Sequence, residues 1–453
     1  LLSKEWDVFI YAHDNVHLQS ELDSFRNTDK KTLVIIESYH LYFHLLEKLQ
    51  RILDNPKVYI LLSSRTGIHI SVCQRLSTAL AISDEKIQER NLDVLNSQDL
   101  NNFIHLLEKQ KLLKRKCHSC ISETLMEYVH SPAVKRKIDD SCATLSENSI
   151  AQKVAYSSLI LMLLNVDLTL NELLTVLNLP GLPQSAVNNT GLKDLIDFQN
   201  GRVHVHSSIF ARYVISNLSV KDILEYMTVI NENAGNLFSE SKSHAIRSSF
   251  VTYSNINLLI SPRKRSSRQN RQILEYYYNL GQLKFYDNNP FFWLQYAIVS
   301  MDVYDYKRAT ELISAAYNCA EKISNFDNFQ IDTQNGRLIL EKACSPKYKS
   351  AKPFDDFTAA DLSFKAALHS PRSNVRQVIK QVIKAYPRFF ELYKRRLSVS
   401  EKNIILKSVN DFIEAAHSNN VAAKKRMRKS EVIPDGELNK LISLKTKILI
   451  SNR

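Results

Sequence analysis

Only 8 of the 453 residues are glycine, where an average chain carries roughly 7%. This scarcity limits the possible folds more than any other feature. Tight hairpins and phosphate-cradling loops need positions that adopt positive φ or let the backbone approach a ligand, and glycine supplies them most cheaply. Few glycines therefore favour long helices joined by short polar turns. The length suggests two to four domains, and with 44% hydrophobic residues the chain can build substantial cores.

No apolar run approaches the roughly 20 residues of a membrane span, and no signal-peptide pattern is present. The chain begins Leu1-Leu2-Ser3-Lys4 without a methionine, which predicts further polypeptide upstream. Six cysteines (Cys73, Cys117, Cys120, Cys142, Cys319 and Cys344) are few for this length. Most lie in apolar or helical contexts and predict reduced thiols in a cytoplasmic protein. Cys117 and Cys120 form one Cys-x-x-Cys, but no second pair follows at zinc spacing, so a helix-surface role is preferred over a metal site. The pairs His13/His17 and His40/His44 also lack the three or four convergent ligands a site needs. No structural metal is expected.

The net charge of +13 comes from 60 bases against 47 acids. The excess sits in short runs, at Arg263-Lys264-Arg265 and at Lys424-Lys425-Arg426. Such runs are usually solvated loops or tails, so nucleic acid is an unlikely partner for this portion.

Three apolar runs in the first ninety residues read as strands: Val8 to Tyr11, Leu33 to Ile36 and Val58 to Leu62. They lack period-two alternation, as expected of parallel strands covered on both faces. Helical patterns at Leu18 to Phe25 and Tyr42 to Leu53 lie between them, which predicts a parallel α/β sheet. Polar residues follow two of the strands. Glu37 comes directly after Ile36, and Ser63, Ser64 and Arg65 come directly after Leu62. Ligands of open parallel sheets bind beyond the carboxyl ends of strands. There an acid can hold Mg²⁺ or orient water, and an arginine can meet a phosphate. Ordinary strand termination gives the same pattern, and the residues alone leave both readings open.

The order Leu33-Val34-Ile35-Ile36-Glu37, then Val58-Tyr59-Ile60-Leu61-Leu62-Ser63-Ser64-Arg65, resembles the Walker B strand and the following sensor strand of STAND NTPases, the AAA-related switch ATPases. Glu89 to Leu100 resembles the segment leading from that core into its helical lid. The resemblance implies Glu37 as catalytic and Mg²⁺-linked acid, and Ser63, Ser64 and Arg65 as contacts to ATP or ADP. The chain departs from the family in two respects. It has no G-x-x-x-x-G-K-[ST] phosphate loop, which is expected upstream of Leu1. It also has Ser38 where a second acid often stands.

The next hundred residues read as helices at Leu100 to Leu113 and Ile121 to Val129, broken at Ser131-Pro132. Three more follow at Ala151 to Leu164, Thr169 to Leu177 and Ala186 to Ile196. Thr169 stands before Glu172 at capping-box spacing. Asn200-Gly201, between two short apolar runs, is the strongest hairpin signal in the chain. Three helices and a hairpin predict a winged helix. Its third helix offers Asn188, Asn189 and Lys193, opposed by Asp194 and Asp197, a poor footprint for DNA. In STAND proteins this domain acts as a lid on the nucleotide, and the resemblance places His206, at the end of the wing, against the phosphates. A strand-end histidine without a ligand is the alternative.

Helices are predicted almost without interruption from Lys221 onward. The spacing of Trp293, Tyr296, Ala297, Ala309, Ile313 and Ala316 fits a tetratricopeptide-like (TPR-like) pair, although Ser300 is not aromatic and the closing proline is missing. Phe291 to Ala297, with Ala316-Tyr317 and Ile331 to Gln334, resembles the C-terminal helical region of STAND proteins of bacterial antiphage defence, often fused upstream to a sirtuin-type or nuclease effector.

The expected architecture is mainly α with an α/β N-terminal portion. It comprises the back half of a P-loop NTPase core over 1–95, a helical lid over 96–145, a winged helix over 146–220, TPR-like repeats over 221–423 and a loosely ordered basic tail over 424–453. The resemblance implies a nucleotide-switch and sensing portion that recognises an invader or phage protein on its helical repeats. It implies self-association on activation and no catalysis without the upstream loop. A non-enzymatic helical scaffold and a winged-helix transcription regulator are the alternatives.

Overall fold

Strands β1 (Trp6–Ile10), β2 (Lys31–Ile36) and β3 (Val58–Leu62) form a parallel sheet in the order β1-β2-β3. The computed structural model describes residues 6–11, 18–37, 39, 42–64, 76, 79–80, 88, 95–109, 132–199, 201–261, 265–348, 350–371, 373–425 and 432–452. The chain divides into two compact units, Leu1–Leu92 with Glu414–Pro434, and Asp93–Ile413 with Asp435–Arg453.

In the first unit, α1 (Leu18–Arg26) joins β1 to β2, and α2 (Phe43–Leu49) with a 3-10 turn (Gln50–Ile52) joins β2 to β3. The side chains Val34, Ile36 and Val58 share one face of the sheet and pack with Leu18, Leu22, Leu45, Leu46, Leu49 and Ile52 in one buried core. Asn55 closes the end of α1: its Nδ2 donates to the carbonyls of Phe25 (3.3 Å), Arg26 (3.0 Å) and Thr28 (3.0 Å), oxygens that a helix terminus leaves without intrahelical donors.

The opposite face corrects the sequence expectation of strands buried on both sides. Registered neighbours Val8, Leu33 and Tyr59, then Ile10, Ile35 and Leu61, line it. Ile10 is 67% exposed, Leu61 52% and Tyr59 47%. The cause lies in the connections, because α1 and α2 both pack on the first face.

The second unit opens with α3 (Ser97–Lys109) and α4 (Pro132–Ser146). The expected helix over 121–129, Cys117 and Cys120 lie outside the described residues, as do Cys73, His13, His17 and His40. Then come α5 (Ser149–Leu163), α6 (Leu170–Val176), α7 (Gln184–Val187) and α8 (Thr190–Leu195), followed by the antiparallel hairpin of β4 (Ile196–Gln199) and β5 (Arg202–Val205). The hairpin turns through Gly201 at φ +72°, a conformation that costs glycine little.

The third helix expected over 186–196 is in fact two helices. Asn189 leaves helical geometry and accepts from the Leu192 amide through Oδ1, while its Nδ2 donates to the Thr144 carbonyl at 3.0 Å. A side chain that serves a cap and a neighbouring helix end breaks the run.

Thr169 behaves as its spacing predicts. Its hydroxyl accepts from the Glu172 amide, and Glu172 reaches back to the Thr169 amide at 2.8 Å. Lys242 Nζ adds a bond to Glu172 Oε2 at 2.7 Å. Burial pushes the Glu172 carboxyl up, but the bonds from Lys242 and Thr169 outweigh it and leave the pKa below its ordinary 4.5. A lowered acid stabilises the fold above its unfolded pKa, and that contribution fades as pH falls through the folded value. Thr169→Ala is therefore expected to cost about 1 kcal/mol at neutral pH, and less once Glu172 is protonated. Urea unfolding at two pH values tests this, and an equal loss at both would separate the cap from Glu172.

Helices continue through α9 (Ser208–Asn217), α10 (Val220–Asn233), α11 (Glu240–Val251), α12 (Tyr253–Leu259) and α13 (Ser267–Leu280). The next two, α14 (Pro290–Asp302) and α15 (Tyr306–Ala320), lie where the spacing predicts a TPR-like pair. Tyr296, Ala297, Ala309, Ile313 and Ala316 are buried in it, while Trp293 is half-buried. The short turn carries Tyr304 at φ 63°. After them come α16 (Phe329–Ala343), α17 (Pro353–His369), α18 (Val375–Tyr393), α19 (Val399–Lys425) and α20 (Asp435–Ser451). Helix α14 neighbours α16, and α16 neighbours α18. The expected loose tail is corrected by α20, whose Leu438, Leu441, Leu444 and Ile448 are buried, a spacing of three and four residues that makes one apolar helix face.

Candidate functional site

The carboxyl edge of the parallel sheet collects the polar residues that the sequence places after β2 and β3. The ladder runs one step past the strands: Ser63 N–H donates to the Ile36 carbonyl at 3.0 Å, and Tyr39 N–H donates to the Ser63 carbonyl at 3.2 Å. Glu37 and Ser63 therefore leave adjacent strand ends. Both are exposed, and Ser64 is half-buried. The Glu37 carboxylate has no hydrogen bond or ion pair among the described residues. Arg65 lies outside them.

Sequence reasoning passed over Tyr39, which holds this turn. Its side chain is only 1% exposed, and its backbone ties the segment after Glu37 to Ser63. The signal was an aromatic residue two positions beyond the acid, which reads equally well as core. Tyr42 continues the anchoring, edge-on to Tyr11 with ring centroids 4.9 Å apart.

A lone exposed carboxylate supplies one ligand to a divalent cation. Among the described residues no three His, Cys, Asp or Glu side chains converge as a metal site would require.

His206 belongs to the second unit, one residue past β5 and directly before Ser207, which caps α9 by accepting from the Phe210 amide. The ring is engaged on both sides. Nδ1 lies 3.1 Å from the Asp194 carbonyl, and Nε2 lies 3.8 Å from Asp197 Oδ2. A carbonyl only accepts, so Nδ1 carries a proton. Nε2 can then donate to an anion only in the cationic ring, and an incoming phosphate competes with Asp197. The sequence named both aspartates as acids near the third helix but did not foresee that they face the histidine.

The remaining residues considered for groove reading are also engaged. Asn188 Oδ1 accepts from Gln184 Nε2 at 3.2 Å, Asn189 serves its cap, and Asp194 Oδ2 accepts from Ser141 Oγ at 2.6 Å. Lys193 is exposed.

The described cysteines Cys142, Cys319 and Cys344 are unpaired thiols. Burial pushes the Cys344 thiol up to about 11, so it stays protonated and unreactive at neutral pH. No described helix is long and apolar enough to cross a membrane.

No family model and no curated protein matches the sequence. Among solved structures, a signal transduction ATPase with numerous domains (STAND) protein with a tetratricopeptide repeat sensor, from Pyrococcus horikoshii, aligns over 97% of this chain and 69% of its own. The identity is 12% and the TM-score 0.20.

Proposed function

We propose that this chain is the nucleotide-switch and sensing portion of a STAND-type NTPase in bacterial antiviral defence. The observation that carries the reading is the carboxyl edge of the parallel sheet, where Glu37 leaves β2 beside Ser63 and Ser64 at the end of β3. There the serine hydroxyls and Arg65 would bond the phosphate oxygens of ATP or ADP, and Glu37 would take Mg²⁺ or orient water. The resemblance implies His206, just before α9, as a further donor to the phosphates.

Two further features support this reading. Parallel sheets are normally covered on both faces, whereas this one exposes Ile10, Tyr59 and Leu61. Among the described residues β3 pairs on one edge only. A strand, phosphate loop and helix supplied by further polypeptide would use both that edge and that face.

In this reading the TPR-like pairs bind an invader or phage protein. That binding favours an open state that self-associates, a population shift set by differential affinity. The protein would work in the cytoplasm.

The test is ADP titration by calorimetry in the longest natural polypeptide that contains this chain. Wild type is expected to bind. His206→Ala is expected to weaken binding by about ten- to a hundredfold, the loss of one hydrogen bond to a charged group. Equal affinities would remove His206 from the site. No binding by wild type would overturn the switch and leave a helical scaffold.

A further inference from the structure

Helix α18 has an unusual polar face. Arg376, Lys380, Lys384 and Arg388 recur every fourth residue, which stacks them in one row about 6 Å apart. Lys380, Lys384 and Arg388 are exposed. The opposite face is core, with Val378, Ile379, Val382, Tyr386, Phe389 and Phe390 buried. Like charges at this spacing repel and destabilise a helix, so the row is unfavourable for folding alone.

The acids around Lys380, Lys384 and Arg388 are engaged elsewhere. The only acid on α18 is Glu391, and its carboxylate takes Lys394 at 2.7 Å and Lys447 at 2.8 Å. Asp302 on α14 and Glu341 on α16 are both held by Arg337, each at 2.7 Å. Lys380, Lys384 and Arg388 form no salt bridge among the described residues.

The row also faces other protein elements. Lys384 feels Arg337, Lys380, Asp302 and Glu341, and burial together with the two cations holds its ammonium below the usual range. Arg388 acts electrostatically on Tyr306 and Cys344, at the start of α15 and the end of α16. The strip thus lies alongside α14 to α16.

We propose that the cationic strip of α18 docks an acidic segment of a partner protein, with carboxylates at alternate positions of an extended chain. Alternate side chains of a strand stand about 6.7 Å apart on one face, close to the pitch of the row. Each carboxylate then meets one cation. Nucleic acid is the other polyanion of this charge, and the oligonucleotide arm of the experiment separates the two. The inference rests on the reading of the helical pairs as the recognition surface and names the chemistry of what they recognise.

The experiment uses the full chain and a fluorescein-labelled twelve-residue peptide with glutamate at every second position, read by anisotropy at low salt. The peptide is expected to bind, and Lys380→Glu with Lys384→Glu and Arg388→Glu is expected to weaken it at least tenfold. The milder Lys380→Gln/Lys384→Gln pair, with an unchanged thermal melt, guards against misfolding and should lose several-fold. Equal binding by a glutamine version of the peptide, or by the charge-reversed protein, would overturn the proposal. Tighter binding of a single-stranded oligonucleotide, lost in the same variants, would overturn it in favour of nucleic acid. Peptide binding without ADP binding would sink the nucleotide switch alone, and ADP binding without peptide binding would sink the strip alone.

Discussion

Replacing Asp361 with alanine is expected to destabilise the helical unit by about 3–5 kcal/mol, the range for removing one partner from a buried charged network. Asp361 is 8% exposed on α17. Its Oδ1 accepts from Tyr386 on α18 at 2.7 Å and from Ser408 on α19. Its Oδ2 pairs with Lys365 at 3.1 Å, and Lys365 also meets Asp411 at 3.0 Å. Burial alone would lower the Lys365 pKa, but the bonds to Asp411 and Asp361 raise it. Alanine would leave two buried hydroxyls without their acceptor and remove half of the lysine's countercharge. Asp361→Asn keeps an acceptor for the hydroxyls and should cost clearly less. The chain has two tryptophans, Trp6 and Trp293, so a Trp6→Phe background lets Trp293 report on the helical unit during urea unfolding. A loss below about 1 kcal/mol, the worth of one ordinary hydrogen bond, would show that the network rearranges at little cost.

Gly191→Ala tests an approach between helices rather than a network. In an exposed helix this change stabilises by about 1 kcal/mol. Here the added methyl would collide with the Ser141 carbonyl oxygen and sit 3.0 Å from the Leu145 amide nitrogen. Both atoms are backbone of α4 and cannot swing aside. Pushing α8 away would also strain the Asn189 bond to Thr144. The expected result is destabilisation of about 3 kcal/mol, at the upper end of overpacking. The sign alone decides, because a neutral or stabilised variant would mean that α4 and α8 separate freely.

Asp361 and Gly191 mark the limit of what could be read from the sequence. Neither carries a local signal. Apart from Lys365 one turn along α17, the partners of Asp361 come from α18 and α19, and Gly191 follows Thr190 in a stretch that reads as continuous helix. The site divides in the same way. Glu37, Ser63 and Ser64 were legible because strand termination is local, and the structure leaves them at adjacent ends of β2 and β3. The partners of His206 were not, since Asp194 and Asp197 reach it only through the fold of the hairpin.

The sequence by itself determined the features written within a few residues of one another. These are the strand and helix alternation of the first sixty residues, the Thr169–Glu172 box and the hairpin at Gly201. Each is decided by φ preference, capping or spacing within one or two turns of chain. Tertiary structure alone decided which face of the sheet is covered, where the helix breaks at Asn189, and that residues 435–451 pack as a helix. An apolar run in a strand reads the same whether one face or two are buried. Asn189 caps α8 while bonded to a carbonyl 45 residues away, and α20 buries its apolar face against α18. Such outcomes depend on contacts between distant segments, which hydrophobic pattern permits but does not assign.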